Sequence, residues 1–307
     1  MGRVEDVIEP LAGVLAGGQV VVLSGAGLST ESGIPDYRGP SGTSRRHTPM
    51  TYQTFTGDPW ARRRYWARSH LGWRLVARAA PNDGHRAVAR LQHAGLLAGI
   101  ITQNVDGLHT AAGSRDVVEL HGRLDEVLCL GCGDRTSRQE LDGRLRRANP
   151  AFVARAGAVN PDGDVDLGDA EVAGFRTVDC RACGGLLKPD VVFFGETVPA
   201  ARVQRCFTMV ERARLLLVLG SSLTVMSGRR FVLRAAKRGV PVVILNQGPT
   251  RGDEYAHLRV DAPLGRLLPA LADRLLGDVD GAAGDPPLAG PPAATGPVPA
   301  APTAAGR

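Results

Sequence analysis

The sequence predicts an α/β fold, with a large domain built on a parallel sheet and a smaller zinc-binding domain. Three observations carry that expectation. Val20–Leu23, Leu215–Leu219 and Val240–Leu245 are short continuous apolar runs, the pattern of strands covered on both faces. Helically spaced apolar residues separate such runs, and strand–helix–strand alternation is the βαβ pattern of a Rossmann-like sheet. Four of the five cysteines form two C-x-x-C pairs, Cys129–Cys132 and Cys180–Cys183. In a chain with no secretory signal, that spacing points to zinc and not to disulfides.

Taken in order, Val4–Ala16 has helical apolar spacing and stops at Gly17-Gly18. Val20–Leu23 follows as the first strand, and Gly25-Ala26-Gly27 ends it. A glycine-rich turn after a buried strand lets backbone N–H groups approach a diphosphate, although the same G-x-G also serves as a plain tight turn. Ser29, Thr30, Glu31, Ser32 and Asp36 then form a polar segment broken by Gly33 and Pro35. It reads as a loop covering a ligand, where a phosphate turn would usually run into a helix. Pro40–Pro59 is expected to continue that lid as a mobile loop. Ala61–Ala80 reads as an arginine-rich helix, Pro81–Gly84 as a turn and Ala87–Leu97 as a second helix.

Gly99–Thr102 is a short strand, followed by Gln103-Asn104-Val105-Asp106-Gly107-Leu108-His109. Polar groups past the carboxyl end of a parallel strand sit where open α/β sheets bind ligands, while Asn and Asp equally suit turns. Val117–Leu120 is the next strand and sets His121 at its end. A lone histidine is commonly structural, yet an imidazole with a pKa of ~6.5 suits proton transfer near neutrality. The cysteine pairs bracket residues 133–179. Four thiolates make a closed tetrahedral site, which is structural because no position is left for water. Between the pairs, a helix over Glu140–Ala148 and a loop at Asn160–Asp164 are expected to reach towards the cleft. Leu186–Glu196 reads as a strand, and Pro199–Ala213 and Gly228–Arg238 as helices. Cys206, in the first of these helices, reads as a small buried apolar residue. Gly220-Ser221-Ser222 and Asn246 lie at further strand ends, and Leu264–Leu275 is the last helix. From Gly277 the chain is dominated by Pro, Ala and Gly and reads as a disordered tail.

Composition narrows the class. The apolar fraction of 43% suits a soluble globular protein, and no apolar run is long enough to span a bilayer. The start, M-G-R-V-E-D-V-I-E-P, lacks the features of a signal or transit peptide, so a cytoplasmic protein with no membrane partner is expected. Net charge is only +6, and the cysteine-paired region has no dense basic and aromatic strip. A nucleic-acid partner is therefore not expected.

G-A-G-L-S-T-E-S-G-I-P-D-Y-R, residues 25–38, resembles the cofactor-binding loop of the sirtuins, the NAD-dependent protein-lysine deacylases. T-Q-N-V-D-G-L-H (102–109) resembles their nicotinamide segment, E-L-H-G (119–122) their catalytic motif and K-P-D-V-V-F-F-G-E (188–196) their substrate-pairing strand. The resemblance runs from about Val7 to about Leu275. It implies that Gly25, Ala26, Gly27, Ser29, Thr30, Ile34, Pro35, Asp36, Tyr37 and Arg38 bind NAD. Gln103, Asn104, Val105 and Asp106 would join them at the nicotinamide end. Gly220, Ser221, Ser222 and Asn246 would serve the adenosine half, with Gln247, Gly248 and Leu264 also in contact. His121 matches the general base. Val192, Phe193, Phe194, Gly195 and Glu196 match the substrate strand, with Phe193 where many members have tryptophan. Cys129, Cys132, Cys180 and Cys183 would hold one structural zinc. The implied catalytic domain is 1–276, with a core of about 1–40, 83–122 and 190–276, a zinc-binding lobe of about 123–189 and a helical segment at 41–82.

The reaction implied consumes NAD. The acyl oxygen of an acyl-lysine attacks the NAD carbon that bears nicotinamide, and nicotinamide leaves. His121 accepts a proton from a ribose hydroxyl, the sugar oxygen attacks the former amide carbon, and water releases lysine and 2′-O-acyl-ADP-ribose. The partners implied are acylated-lysine proteins, among them metabolic enzymes that are inactive when acylated. No acidic residue ends a second strand ~20 residues after the first glycines, which argues against hydride transfer. Mono-ADP-ribosylation from the same pocket and a non-enzymatic NAD- or zinc-binding module are the rival readings.

R-Y-W-A-R (64–68), the long insertion between the cysteine pairs, K-P-D-V-V-F-F-G-E (188–196) and N-Q-G-P-T-R (246–251) together resemble the class II, mitochondrial sirtuin-4-like branch. With no matching transit peptide, the chain looks like a bacterial member. Tyr65 and Arg68 also have the Y-x-x-R form with which class III members read acidic acyl groups. Helical spacing puts the two on one face, although Arg62, Arg63, Arg64, Arg68 and Arg74 equally read as a solvated basic stretch.

Overall fold

Residues 4–36, 49–152, 165 and 167–277 are described by the structure, a computed structural model. Tyr37, Arg38, the Asn160–Asp164 loop and the chain after Gly277 lie outside the described residues.

The first half of the chain runs α1 (Val4–Leu15), β1 (Val20–Ser24), α2 (Tyr52–Gly57), α3 (Pro59–Val76), α4 (Asp83–His93), β2 (Leu97–Thr102), α5 (Leu108–Ala111) and β3 (Val117–Glu119). Next come β4 (Gly122–Cys129), β5 (Arg135–Ser137), α6 (Arg138–Ala148), α7 (Asp169–Ala173) and β6 (Leu187–Val191). The chain closes with α8 (Ala200–Arg212), β7 (Leu215–Leu219), α9 (Met226–Lys237), β8 (Val242–Leu245), β9 (Leu258–Val260) and α10 (Leu264–Leu276). Among the described residues no helix is long and apolar enough to cross a membrane.

β1 to β3 and β7 to β9 form one six-stranded parallel sheet in the order β3-β2-β1-β7-β8-β9. The chain walks outward from β1, then returns to start again beside β1 with β7. That reversal opens a crevice at the carboxyl ends of β1 and β7, the ligand position of a doubly wound sheet. Strand side chains alternate between faces. Val20 and Val22 join Leu11, Leu15, Leu91, Leu267 and Leu271 under α1, α4 and α10. Val21 and Leu23 join Val210, Phe231 and Val232 under α8 and α9. Each fully buried aliphatic or aromatic side chain of this kind contributes roughly 1.5–3 kcal/mol.

β4, β5 and β6 form a separate antiparallel sheet, in the order β5-β4-β6. Its core includes Val127, Leu187, Phe175 and, from α2 and α3, Phe55, Tyr65 and Trp66. Arg138, buried at the start of α6, places its guanidinium 5.4 Å from the rings of both Trp66 and Trp73 and donates to the Ser69 carbonyl. Asp142, one turn on, lies 2.6 Å from His70 Nδ1 and 2.7 Å from Arg146 Nη2. These contacts lock α6 against α3.

Several boundaries differ from expectation for local reasons. Pro40–Pro59 is not wholly loop: α2 forms because Thr51 caps it, its hydroxyl accepting from the N–H of Thr54. α3 starts at Pro59 because Asp58 accepts from the N–H groups of Trp60 and Ala61. α4 starts at Asp83, not Ala87, where Asn82 and His85 make a capping box. It stops at His93 because Gly95, at φ +79°, reverses the chain and frees Leu97 for β2. Leu186–Glu196 is not one strand. β6 ends at Val191, Phe194 pairs with Thr51 in an isolated parallel bridge, and Gly195 turns at φ +77°. β4, β5 and β9 were not expected.

Candidate active site

The carboxyl ends of β1, β2, β7 and β8 and the neighbouring face of the smaller lobe enclose a cleft of about 1040 Å³. The glycines at the end of β1 let two strand ends meet. A Cβ on Gly25 would lie 2.8 Å from the Ser221 Cβ, and one on Gly27 would lie 2.9 Å from the Gly220 carbonyl oxygen. The N–H groups of Gly25 and Gly27 donate to the carbonyls of Leu219 and Gly220, at 2.9 and 2.8 Å. These two glycines thus serve close approach of β1 to β7, with their donors turned to protein. Beyond them the chain forms two short 3₁₀ turns, Ala26–Leu28 and Thr30–Ser32, before Ile34. Leu223, on the facing turn after β7, is a non-glycine residue at φ +54°. Such strain marks a segment held by its surroundings.

Polar contacts fasten the 25–36 segment to the loop after β2. Ser29 Oγ donates to Asp106 Oδ2 at 2.7 Å, and Asn104 Nδ2 donates to Ser29 Oγ and to the Gly25 carbonyl. Burial raises the Asp106 pKa, while the N–H of Leu108 and the Ser29 hydroxyl pull it down. Behind the segment lies a buried polar network. Asn82 donates to the Leu28 carbonyl, and Ser24 Oγ, bonded to Thr102, lies 2.8 Å from His109 Nε2. His109 and His85 stack edge to face with centroids 5.2 Å apart. Burial lowers both pKa values, to about 4 for His85 and about 3 for His109, so both rings are neutral.

His121 stands at the mouth of the crevice, between β3 and β4. Its Nδ1 is 2.9 Å from the Gln103 carbonyl oxygen and its Nε2 is 2.8 Å from Ser227 Oγ. A carbonyl can only accept, so Nδ1 carries the proton and Nε2 the lone pair. Burial lowers the His121 pKa. The bond to Gln103 opposes that shift, and Arg202 and Arg230 add to it. The ring is therefore a neutral acceptor near pH 7.

The opposite wall is the segment after β6. Glu196 accepts from the N–H of Phe193 at 2.8 Å and from Lys188 Nζ at 3.2 Å, and the ammonium lies 5.0 Å from the Phe193 ring centroid. Phe193 packs on Phe55 and Tyr65, with ring centroids 5.1 and 5.2 Å apart. Tyr52 donates its N–H to the Phe194 carbonyl, and Gln53 Nε2 donates to the Gly195 carbonyl. A short irregular segment is thus held on both sides.

Away from the cleft, Cys129, Cys132, Cys180 and Cys183 bring their four Sγ atoms within 4.8 Å of one another. The Cys129–Cys183 and Cys132–Cys180 separations are 3.5 and 3.8 Å. Tetrahedral zinc with Zn–S of ~2.3 Å requires sulfur–sulfur edges of about 3.8 Å, so the donor set fits. The N–H groups of Gly131 and Gly185 point at Cys129 Sγ and Cys183 Sγ, at 3.4 and 3.3 Å, as partners of thiolates should. A Cβ on Gly185 would come within 3.1 Å of both sulfurs.

Residues 25–227 match the Sir2 family model. The chain belongs to the Sir2 family. It is 62% identical over 268 residues to "NAD-dependent protein deacetylase 1" of Streptomyces coelicolor, covering 87% of this chain and 90% of the relative. The protein of the same name from Mycobacterium avium is 52% identical over 280 residues, covering 90% and 97%. Among solved structures, a Sir2 variant with a deacetylated p53 peptide and 3′-O-acetyl ADP ribose superposes with a TM-score of 0.70 at 28% identity, covering 87% of this chain and 98% of that one.

In this Sir2 protein the cleft gathers residues far apart in sequence. The 25–36 segment, Gln103–Asp106, His121, Val192–Glu196, Gly220–Ser222, Asn246–Gly248 and Leu264 all line it. Tyr65 lines it too, through its place in the aromatic cluster. Arg68 is not among the lining residues: its Nε donates to the Val165 carbonyl at 2.7 Å. Among the described residues, then, Tyr65 borders the cleft and Arg68 does not. Sequence reasoning missed Ser227, Thr224 and Arg230, which also line it. The available signal was the strand-end run Gly220–Ser222, whose chain continues along the cleft into the first turn of α9. Cys206 is fully buried in α8, and burial pushes its thiol up to about 12.

Proposed function

We propose that this chain is an NAD-dependent protein-lysine deacetylase, consuming NAD and releasing nicotinamide, free lysine and O-acetyl-ADP-ribose. The observation that carries the reading is the neutral imidazole of His121, with Nε2 as acceptor, in one cleft with the 25–36 and 192–196 segments. NAD supplies an electrophilic sugar carbon with nicotinamide as leaving group. The 25–36 segment covers the reacting sugar and limits water, and Asn104 and Asp106 orient the nicotinamide end. His121 Nε2 takes the proton of a ribose hydroxyl, and the Gln103 carbonyl, bonded to Nδ1–H, stabilises the imidazolium that results. The peptide lies along Val192–Glu196 through main-chain contacts, which demand little of its sequence. The four cysteines would hold zinc, which supplies structural support to the smaller lobe.

The finer reading is a class II member acting on acylated metabolic enzymes in the cytoplasm. It draws on K-P-D-V-V-F-F-G-E and N-Q-G-P-T-R. Residues 1–276 would form the catalytic unit, with about 123–189 as its zinc-binding lobe.

The test is incubation with NAD and an acetyl-lysine peptide, followed by mass spectrometry. Equal amounts of nicotinamide, deacetylated peptide and O-acetyl-ADP-ribose are expected. ADP-ribose on protein without deacetylation would assign a transferase instead. No nicotinamide from any acyl-peptide would leave only a binding module.

A further inference from the structure

The proton on Nδ1 of His121 leaves Nε2 as a lone pair, so Ser227 Oγ, 2.8 Å away, must be the donor in that contact. Both ring nitrogens are engaged, and a ring flip would break both bonds. Ser227 is the second residue of α9, a twelve-residue helix whose amino end bears partial positive charge. The next residue explains how α9 comes so near. A Cβ on Gly228 would lie 2.4 Å from Gln103 Oε1. Gln103 in turn anchors to Ser221 Oγ through Nε2 and to His121 through its carbonyl. The Ser227-Gly228 step thus fits the helix onto the base and the residue that orients it.

We infer that Ser227 is a positioning residue for His121: the Gln103 carbonyl sets the proton on Nδ1, and the Ser227 hydroxyl holds the other end of the ring through Nε2 until a substrate hydroxyl arrives. The consequence for turnover rests on the deacetylase reading; the effect on the imidazole does not. A hydroxyl donates to the neutral ring and can turn to accept from the charged one, so it holds the ring in either state. The charged groups that act on the ring set its protonation instead. Arg202, from α8, donates to the Leu120 carbonyl, and Arg230 sits three residues along α9 from Ser227; both disfavour imidazolium. Ser227 differs from these arginines in bonding directly to a ring nitrogen, so it acts on where the ring sits and not on its charge.

The experiment follows the His121 imidazole by ¹⁵N NMR in the full chain without substrates, with His121→Ala used to assign the signal. With the ring neutral, the Nε2 signal of Ser227→Ala should move downfield, as an acceptor nitrogen does when it loses its donor, while Nδ1, still on the Gln103 carbonyl, should stay in place. Ser227→Thr, which keeps the hydroxyl, should keep the wild-type Nε2 position. An unmoved Nε2 signal in Ser227→Ala overturns the inference. In deacetylation assays kcat should fall in Ser227→Ala with the KM for NAD little changed, and Ser227→Thr should restore it. An equal loss in Ser227→Thr and Ser227→Ala would make Ser227 merely structural and also overturns it. Wild-type protein without turnover would sink the deacetylase reading alone, and the NMR spectrum would still decide the role of Ser227.

Discussion

Arg68 Nε donates to the backbone carbonyl of Val165, joining α3 to the insertion between the two cysteine pairs across 97 residues of sequence. Val165 is fully buried, so Arg68 supports a packed junction. Tyr65, three residues earlier, turns to the cleft. Arg68→Met should therefore slow acetyl and glutaryl peptides equally and lower stability by about 1–3 kcal/mol, the cost of leaving a buried acceptor unpaired. The measurement is kcat/KM on the two peptides beside a urea melt. A loss confined to glutaryl peptides would return Arg68 to the role of acidic-acyl reader.

His121→Ala should lower deacetylation by roughly a hundredfold or more, the usual share of a general base. NAD binding, followed by calorimetry, should survive, because the proposed cofactor contacts are spread over several segments of the cleft. Near-normal turnover in this variant would remove His121 from the reaction.

Purified protein should carry one zinc per chain. Cys129→Ala should lose it and unfold more readily, since metal binding and folding are coupled. Metal analysis of active protein decides the point: active enzyme free of zinc contradicts it. Cys206→Ala, buried in α8 and outside the four-cysteine cluster, should keep its zinc and its turnover.

Acid should weaken the fold through His85 and His109. Each is neutral when buried, at about 4 and about 3, and regains a pKa of ~6.5 when unfolded. Between pH 6.5 and 4 the unfolded chain then holds more protons, so this contribution to stability is full above ~6.5 and shrinks as pH falls. The two together give a slope of up to ~2.7 kcal/mol per pH unit. His109→Gln, whose amide can replace Nε2 opposite Ser24, should roughly halve that slope in urea melts between pH 6 and 5, by removing about one of two protons. An unchanged slope would clear the histidines.

Much of this architecture was legible because its strands are buried on both faces. Val20–Leu23 and Leu215–Leu219 are unbroken apolar runs and read directly as central strands. β4 was not legible: Gly122–Cys129 mixes Arg123, Asp125 and Glu126 with apolar residues, since one face of a small antiparallel sheet meets water. α2 was hidden because its cap, Thr51, sits in a stretch rich in turn formers. Motif residues of the cleft could be quoted from the sequence, as could the cysteine set. Their fastenings could not. Ser29 to Asp106, Asn82 to Leu28 and Ser227 to His121 join segments 54 to 106 residues apart, and no local pattern announces such pairs.

All three tryptophans of the chain, Trp60, Trp66 and Trp73, stand on α3, two of them flanking the guanidinium of Arg138. Tryptophan fluorescence is thereby confined to one helix and its junction with α6, and the six-stranded sheet contributes no tryptophan signal. Backbone circular dichroism, by contrast, sums over every element. A denaturation followed by both would be a label-free cooperativity test. Coincident curves would mean that the lobe carrying the four cysteines melts with the sheet. An earlier fluorescence transition would mean that it detaches first, with α3 as the native reporter.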